Sequence, residues 1–150
     1  MSITSSEFDV LVKKHYKFLI NDFGFSLSKL GDWSFSLENQ NAKVSLLVEH
    51  ENLLSIALEP IGEQSAVLLQ KNILPEANSI IVISMCLDPS LQYKVKRLDK
   101  KGISHNIPVE LERQAELIKK YCEKMLDGDF SSWGTIKNCR SKRAYEFLYI

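Results

Sequence analysis

The segment from Pro108 to Trp133 constrains the fold of this chain more than any other part of its sequence. Its apolar residues recur at alternating spacings of four and three positions, which aligns them along one side of an α-helix. They are Leu111, Ala115, Ile118, Cys122 and Met125. Pro108 suits the first turn of a helix, where a missing N–H costs nothing, and Gly128 suits its end. The pattern predicts a long helix that buries one side, with Phe130 and Trp133 closing the core beyond it.

The start of the chain has the pattern of a second amphipathic helix. Thr4 and Glu7 have the spacing of a capping box, in which the two residues satisfy backbone N–H groups of the first turn. The apolar residues that follow predict a helix over residues 6–22. Gly24 can take the left-handed backbone conformation that ends such a helix, and Phe25 can pack back onto its last turn.

After this helix, apolar residues alternate with polar ones, which is the period of a β-strand. Three such runs occupy residues 33–37, 43–50 and 54–58. The intervening segments, 39–41 and 51–52, contain asparagine, which tolerates the backbone angles of tight turns. Three strands joined by short turns indicate an antiparallel meander.

The middle of the chain is less decisive. Residues 65–74 contain short apolar runs that fit either a buried strand or a short helix. The β-branched run at residues 80–83 favours a fourth strand, and residues 91–98 are a candidate for another. We predict a single α+β domain over residues 1–150. It contains an antiparallel sheet of four or five strands, with the N-terminal helix and the long C-terminal helix packed on one face.

The composition is that of an ordinary globular protein, with 45% hydrophobic and 25% charged residues among 150. The first residues lack the basic and apolar regions of a signal peptide, and no apolar run is long enough to span a membrane. The three cysteines, Cys86, Cys122 and Cys139, do not have the CxxC spacing of metal or redox sites. We therefore expect three small buried thiols in a protein of the reducing cytoplasm.

The sequence contains no evident catalytic or metal-binding motif. His50 stands between two glutamates, but a strand would place both on the face opposite the histidine. His15 and His105 are the other histidines, and none has the spacing of a zinc-binding helix. The serines lack a nucleophile elbow, and the six glycines are too scattered for a phosphate-binding loop. We predict that the protein is not an enzyme and uses no metal or cofactor.

Basic residues are concentrated in the second part of the chain. Residues 1–90 carry 6 basic and 11 acidic side chains, whereas residues 91–150 carry 13 and 8. Two clusters stand out, and we interpret them as solvated faces or protein contacts. The first, our candidate partner-binding site, comprises Lys94, Lys96, Arg97, Lys100 and Lys101. The second comprises Lys137, Arg140, Lys142 and Arg143.

The alternative is a nucleic-acid-binding accessory protein that uses the clusters at 94–101 and 137–143. Lysine and arginine neutralise phosphates, and Tyr93 and Tyr145 are close enough in sequence to stack on bases. The balanced charge of the whole chain opposes this interpretation, because dedicated nucleic-acid domains are usually strongly basic.

Two stretches give the chain a resemblance to a known group. The first is a helix of the form F-x-x-L-x-x-x-x-Y-x-F-L ending in Gly-Phe, with Phe8, Leu11, Tyr16, Phe18, Leu19, Gly24 and Phe25. The second contains Leu111, Ala115, Leu117, Tyr121, Leu126, Gly128, Asp129, Phe130 and Trp133. The chain resembles small bacterial proteins, some of them immunity proteins encoded beside polymorphic toxins. The resemblance implies a non-enzymatic cytoplasmic protein that binds and neutralises a toxin domain, without assigning any contact residue.

Overall fold

The structure is a computed structural model that describes residues 3–98, 102 and 104–148, with only the backbone of Glu51. Its helices are α1 (Ser5–His15), α2 (Lys17–Phe23), α3 (Gly62–Gln70), α4 (Ile80–Leu87), α5 (Ile107–Tyr121), α6 (Glu123–Leu126), α7 (Trp133–Lys142) and α8 (Ala144–Phe147). Its strands are β1 (Ser26–Gly31), β2 (Ser34–Glu38), β3 (Ala42–Glu49), β4 (Leu53–Pro60) and β5 (Asn78–Ser79). The fold is α+β, as predicted.

The strands within the described residues form one antiparallel sheet in the order β1-β2-β3-β4-β5. The predicted meander corresponds to β2, β3 and β4, so that prediction is confirmed. The sequence pattern does not reveal β1, because Leu27 alone among its six residues is partly buried and the apolar alternation is weak. β5 is a two-residue strand that pairs with Ala57 and Leu58 of β4.

Asn39 closes the hairpin between β2 and β3. Its side-chain oxygen accepts hydrogen bonds from the backbone N–H groups of Asn41 and Ala42, at 2.8 and 2.9 Å. Its side-chain nitrogen donates to the backbone oxygens of Phe23 and Leu126, at 3.0 and 3.1 Å. One turn residue therefore also satisfies carbonyl groups at the ends of α2 and α6, which have no partner within their own helices.

The buried side chains of the sheet form the centre of the core. They include Phe35, Leu37, Val44, Leu46, Ile56 and Leu58. α1 lies against this layer, because the ring of Phe8 is 5.6 Å from that of Phe35 and 5.4 Å from that of Trp33. α5 contacts α1, α4 and β4. All five residues of the predicted apolar stripe between Leu111 and Met125 are buried, which confirms that prediction.

Each of the two predicted long helices is broken once. Tyr16 separates α1 from α2, and Cys122 separates α5 from α6. Both residues leave the helical region of backbone angles, with ψ of 7° and 1°. Both side chains are buried, and the hydroxyl of Tyr16 donates a hydrogen bond to the backbone oxygen of Leu111 at 3.0 Å. The break at Tyr16 thus accompanies a tertiary contact, which a local apolar pattern does not contain.

Residues 80–83 are helical, so the predicted fourth strand is wrong. They begin α4, an almost entirely apolar helix in which Ser84 donates its hydroxyl to the backbone oxygen of Ile80 at 2.8 Å. α4 contacts α5 and α7, and this packing outweighs the β-propensity of isoleucine and valine. Within the segment 65–74, residues up to Gln70 belong to helix α3. Residues 91–96 belong to no helix or strand, and Arg97 forms only an isolated antiparallel bridge with His105, so the candidate strand at residues 91–98 does not form.

The aromatic pair that follows α6 is buried, as predicted. Trp133 is fully buried, and its ring meets the ring of Phe130 edge-on at a centroid distance of 5.3 Å. The indole nitrogen of Trp133 has no hydrogen-bond partner among the described residues. The pair therefore stabilises the core through apolar contact.

The C-terminal tail packs against the rest of the protein only in part. Phe147 packs against the core. Tyr145 and Leu148, in contrast, are 74% and 73% exposed. Tyr149 and Ile150 lie outside the described residues.

Cys86 and Cys139 form a disulfide bond, so the prediction of three free thiols is wrong for this pair. The two residues are 53 positions apart and lie in α4 and α7, which only the tertiary fold brings together. Cys122 is a free, buried thiol, as predicted, and burial raises its pKa to about 12. Within the described part of the chain, no helix has the length and hydropathy needed to cross a bilayer.

Candidate partner-binding groove

A groove of about 940 Å³ lies on the surface, and the chain segments that line it form two walls. The first, called the segment wall, is the irregular chain over residues 91–94. Met85 and Cys86, at the end of α4, also line the groove. The second wall, called the helix wall, comprises Cys139, Lys142, Arg143 and Glu146. The Cys86–Cys139 bond therefore connects α4 to the helix wall, and we call this site the disulfide groove.

The disulfide groove brings together members of the two basic clusters. Lys94 comes from the first cluster, and Lys142 and Arg143 come from the second. Lys96 and Arg97 are exposed beside the segment wall but do not line the groove. The structure thus unites part of the candidate site with residues almost 50 positions further along the chain.

The remaining cluster residues lie elsewhere. Arg140 donates a hydrogen bond to the side-chain oxygen of Asn78 at 2.6 Å and forms an ion pair with Glu76. Lys137 does not line the groove. Lys100 and Lys101, which belong to the candidate site, lie outside the described residues.

A fully buried carboxylate, Glu110 on α5, holds the segment wall in place. One carboxylate oxygen accepts hydrogen bonds from the Tyr93 hydroxyl at 2.7 Å and from the Gln114 amide at 3.1 Å. The other accepts from the backbone N–H of Lys96 at 3.1 Å and from Arg113 at 2.6 Å. A buried charge is tolerated only when it is paired and hydrogen-bonded, and Glu110 meets both conditions.

Arg113 completes this network. Its guanidinium also donates to the backbone oxygen of Lys94 at 3.0 Å and lies 4.2 Å from the centre of the Tyr93 ring. Burial and the Glu110 carboxylate raise the pKa of Tyr93 well above its usual value, so the hydroxyl stays protonated and donates. The network holds this segment with Tyr93 and Val95 buried and with Lys94 and Lys96 exposed.

The helix wall is built around Arg143. Its guanidinium donates to the backbone oxygen of Met85 at 2.9 Å, forms an ion pair with Glu146 at 2.8 Å and lies 5.2 Å from the Phe147 ring. Glu146 therefore offsets the charge of Arg143. The ammonium groups of Lys94 and Lys142 have no ion-pair partner in the portion of the chain that the structure describes.

His105 and His50 do not line the disulfide groove. His105 accepts a hydrogen bond at Nδ1 from the backbone N–H of Leu54, at 3.0 Å. Burial lowers its pKa, and the nearby charge of Arg97 lowers it further. His50 lies in the turn between β3 and β4 and lines a separate surface groove with Glu49. No group of three or more potential metal ligands is found among residues 3–98, 102 and 104–148.

The sequence analysis did not predict the buried hydrogen-bond network of Glu110, although the position of this residue contained a signal. Glu110 and Gln114 are four positions apart, directly beside Leu111 and Ala115 of the apolar stripe. A glutamate near the start of a helix is favourable even when it is exposed, so the local sequence gives no reason to expect that Glu110 is buried. Its proximity to Tyr93 depends on how the chain before α5 folds back. This long-range contact has no counterpart in the local pattern.

Comparison of the chain with protein-family models, with curated proteins and with solved structures gave no match in any of the three searches.

Proposed function

We propose that this protein is a non-enzymatic protein-binding domain and that its partner docks in the disulfide groove. One observation carries the proposal: lysines from two clusters that are far apart in sequence line one groove, beside apolar side chains such as Met85 and Leu91. Apolar surface surrounded by polar and charged groups is the usual composition of a protein interface. The Glu110 network supports the proposal, because a wall fixed before binding loses less entropy when the partner docks.

The charge of the groove favours a partner segment that carries carboxylates. Lys94 and Lys142 lack ion-pair partners among the described residues, and the charge of Arg143 is offset by Glu146. Complementary charge across an interface accelerates association and fixes the orientation of the partner. We therefore assign the contact role to Lys94 and Lys142, with Lys96 and Arg97 as flanking cations.

The resemblance to immunity proteins favours a toxin domain as this partner and the cytoplasm as the location. A toxin encoded beside this gene would be masked by a tight complex that buries at least about 1,000 Å². The test is to co-express the chain with the product of the neighbouring gene. We expect a complex that survives size-exclusion chromatography and protects the host cell. If the two proteins form no complex and the host cell is not protected, the immunity role is refuted.

Nucleic-acid binding remains the second candidate, because lysines of both clusters line one groove. Two observations weigh against it. Tyr93 is buried and held by Glu110, so its ring cannot stack on a base, and the acidic Glu146 lines the same groove. The test is a mobility-shift assay with single-stranded and duplex DNA and RNA at low salt. Binding that weakens steeply with salt would favour this function over the first.

A further inference from the structure

The Cys86–Cys139 disulfide lines the groove that the proposed partner would occupy. Both cysteines are only partly buried, so a small solute that enters the groove can approach the bond. In the cytoplasm proposed above, a disulfide meets a reducing thiol pool, and such bonds usually act in catalysis or redox sensing. The position of this bond therefore suggests a site of thiol exchange.

The two walls of the groove are anchored in different ways. The segment wall is held by the buried Glu110 network, which contains no thiol. The first half of α7 is held by Trp133 and Ile136, which are both fully buried. Beyond Cys139 most side chains are exposed, including Lys142, Tyr145 and Leu148. The disulfide is the covalent anchor of this last part.

Non-covalent contacts add to this anchor. Arg140 binds Asn78 and Glu76, Arg143 donates to the backbone oxygen of Met85, and Phe147 packs against the core. These contacts are only partly buried and compete with water, so they hold this part of the chain less firmly than a covalent bond does. Cleavage of the disulfide should therefore loosen the helix wall and leave the segment wall in place.

We propose that small anionic thiols reduce this disulfide within the groove and thereby release the helix wall. A thiolate attacks one sulfur, the bond between the cysteines breaks, and a mixed disulfide forms while the other cysteine leaves as a thiolate. A second thiolate attacks the sulfur of the reagent in the mixed disulfide. The reagent is thereby oxidised to its own disulfide, and the two cysteine thiolates take up the protons that the two reagent thiols have lost.

The preference for an anionic thiol follows from the charges that line the groove. Lys94, Lys142 and Arg143 outnumber the one acidic residue there, Glu146. A cationic cleft raises the local concentration of anions and therefore their rate of encounter. The consequence for partner binding rests on the proposed function, because release of the helix wall displaces Lys142 from Lys94. Reduction would then weaken the complex.

The first test measures how fast thiols reduce the native protein. The probes are glutathione, whose carboxylates add negative charge to its thiolate, and 2-mercaptoethanol, whose thiolate carries no other charge. Each rate is expressed per thiolate and divided by the rate at which the same thiol reduces a small uncharged disulfide. At low salt we expect glutathione to be favoured by about tenfold, the lower end of the range for steering into a charged cleft. The double substitution Lys94→Gln and Lys142→Gln should abolish most of this preference.

The matched control is the double substitution Lys14→Gln and Lys17→Gln, which removes two exposed lysines of α1 and α2 outside the groove. It should keep the native preference. An equal preference for glutathione in all three proteins would overturn the assignment of the groove as the thiol site.

The second test compares amide hydrogen exchange in the oxidised protein, the reduced protein and a Cys86→Ser, Cys139→Ser variant. We expect faster exchange over residues 138–148 in the last two, with residues 92–97 unchanged. A uniform increase across the sheet, or no change at all, would show that the bond does not control this wall. Both tests use the protein alone, so they can fail while the protein-binding function stands, and the reverse also holds.

Discussion

The carboxylate of Glu110 and the hydroxyl of Tyr93 lie 2.7 Å apart in the interior of the protein, although 17 positions separate them in the sequence. This contact ties α5 to the segment wall of the disulfide groove. The backbone N–H of Lys96 and the guanidinium of Arg113 bind the same carboxylate, at 3.1 and 2.6 Å. The exposed position of Lys94 thus depends on a buried acid.

Replacement of Glu110 with alanine should be strongly destabilising. The change would leave the Tyr93 hydroxyl and the Arg113 guanidinium without their acceptor, and loss of one partner of a buried ion pair typically costs about 3–5 kcal/mol. Glu110→Gln keeps the shape and one acceptor oxygen, so it should cost less. The measurement is the free energy of unfolding in urea. Glu116→Ala, which removes an exposed carboxylate on the same helix, is the control and should change this free energy by less than about 0.5 kcal/mol.

The stability of the protein should fall as the pH drops below about 6.5, because of His105. Its folded-state pKa lies below the unfolded value, since burial and Arg97 oppose its protonation. At pH values between the folded-state and unfolded-state pKa of His105, the unfolded chain therefore binds more protons than the folded one. Stability is lost as the pH falls through this range. Protonation would also remove the acceptor that binds the N–H of Leu54.

The check on His105 is urea unfolding at about pH 7.5 and about pH 5.5 for the native protein and two variants. His105→Gln should lose less stability between the two values than the native protein loses. His50→Gln, which changes an exposed histidine, should behave as the native protein does. Equal losses in all three would contradict a role for His105.

Two glycines with left-handed backbones should differ in their tolerance of a side chain. Gly24 has φ of +69° and open space where a Cβ atom would lie, whereas Gly128 has φ of +100° and atoms of Asn41 and Gln64 at 3.0 Å from that position. Gly24→Ala should cost about 1–2 kcal/mol through backbone strain alone. Gly128→Ala should cost more, because the amide side chains must also move. Thermal unfolding of both variants would show this order, and the reverse order would argue against crowding at Gly128.

Trp133→Ala should cost about 3–5 kcal/mol, because the ring is fully buried and its removal leaves a cavity. Leu148→Ala, at a position 73% exposed, should have little effect. Chemical denaturation of both variants provides the comparison. A small effect at Trp133, combined with loss of partner binding, would instead make this aromatic residue a contact.

The sequence predicted those parts of the fold in which local pattern and tertiary environment agree. The stripe from Leu111 to Met125 is buried in the structure, and the meander follows the alternation seen before and after Asn39. The run at residues 80–83 was misleading, because β-branched side chains favour strands only while no packing opposes them. In α4, contacts with α5 and α7 decide the conformation.

The candidate site was predictable only in outline. Lys94, Lys96 and Arg97 stand out in the sequence as a cluster, but its association with Lys142 is a property of the tertiary fold. The same holds for the disulfide, whose cysteines are 53 positions apart and lack any motif. Residues that act together across such distances leave no periodic signal in one sequence.

The most direct test of the disulfide groove as a binding surface is the affinity for the product of the neighbouring gene, measured by titration calorimetry. The native protein is compared with two double variants that change the charge equally. The groove variant carries Lys94→Glu together with Lys142→Glu, and the control variant carries Lys14→Glu together with Lys17→Glu. We predict that the groove variant binds at least about tenfold more weakly, a loss of about 1.4 kcal/mol, while the control binds as the native protein does. Equal affinity in all three proteins would contradict the groove as the site of binding.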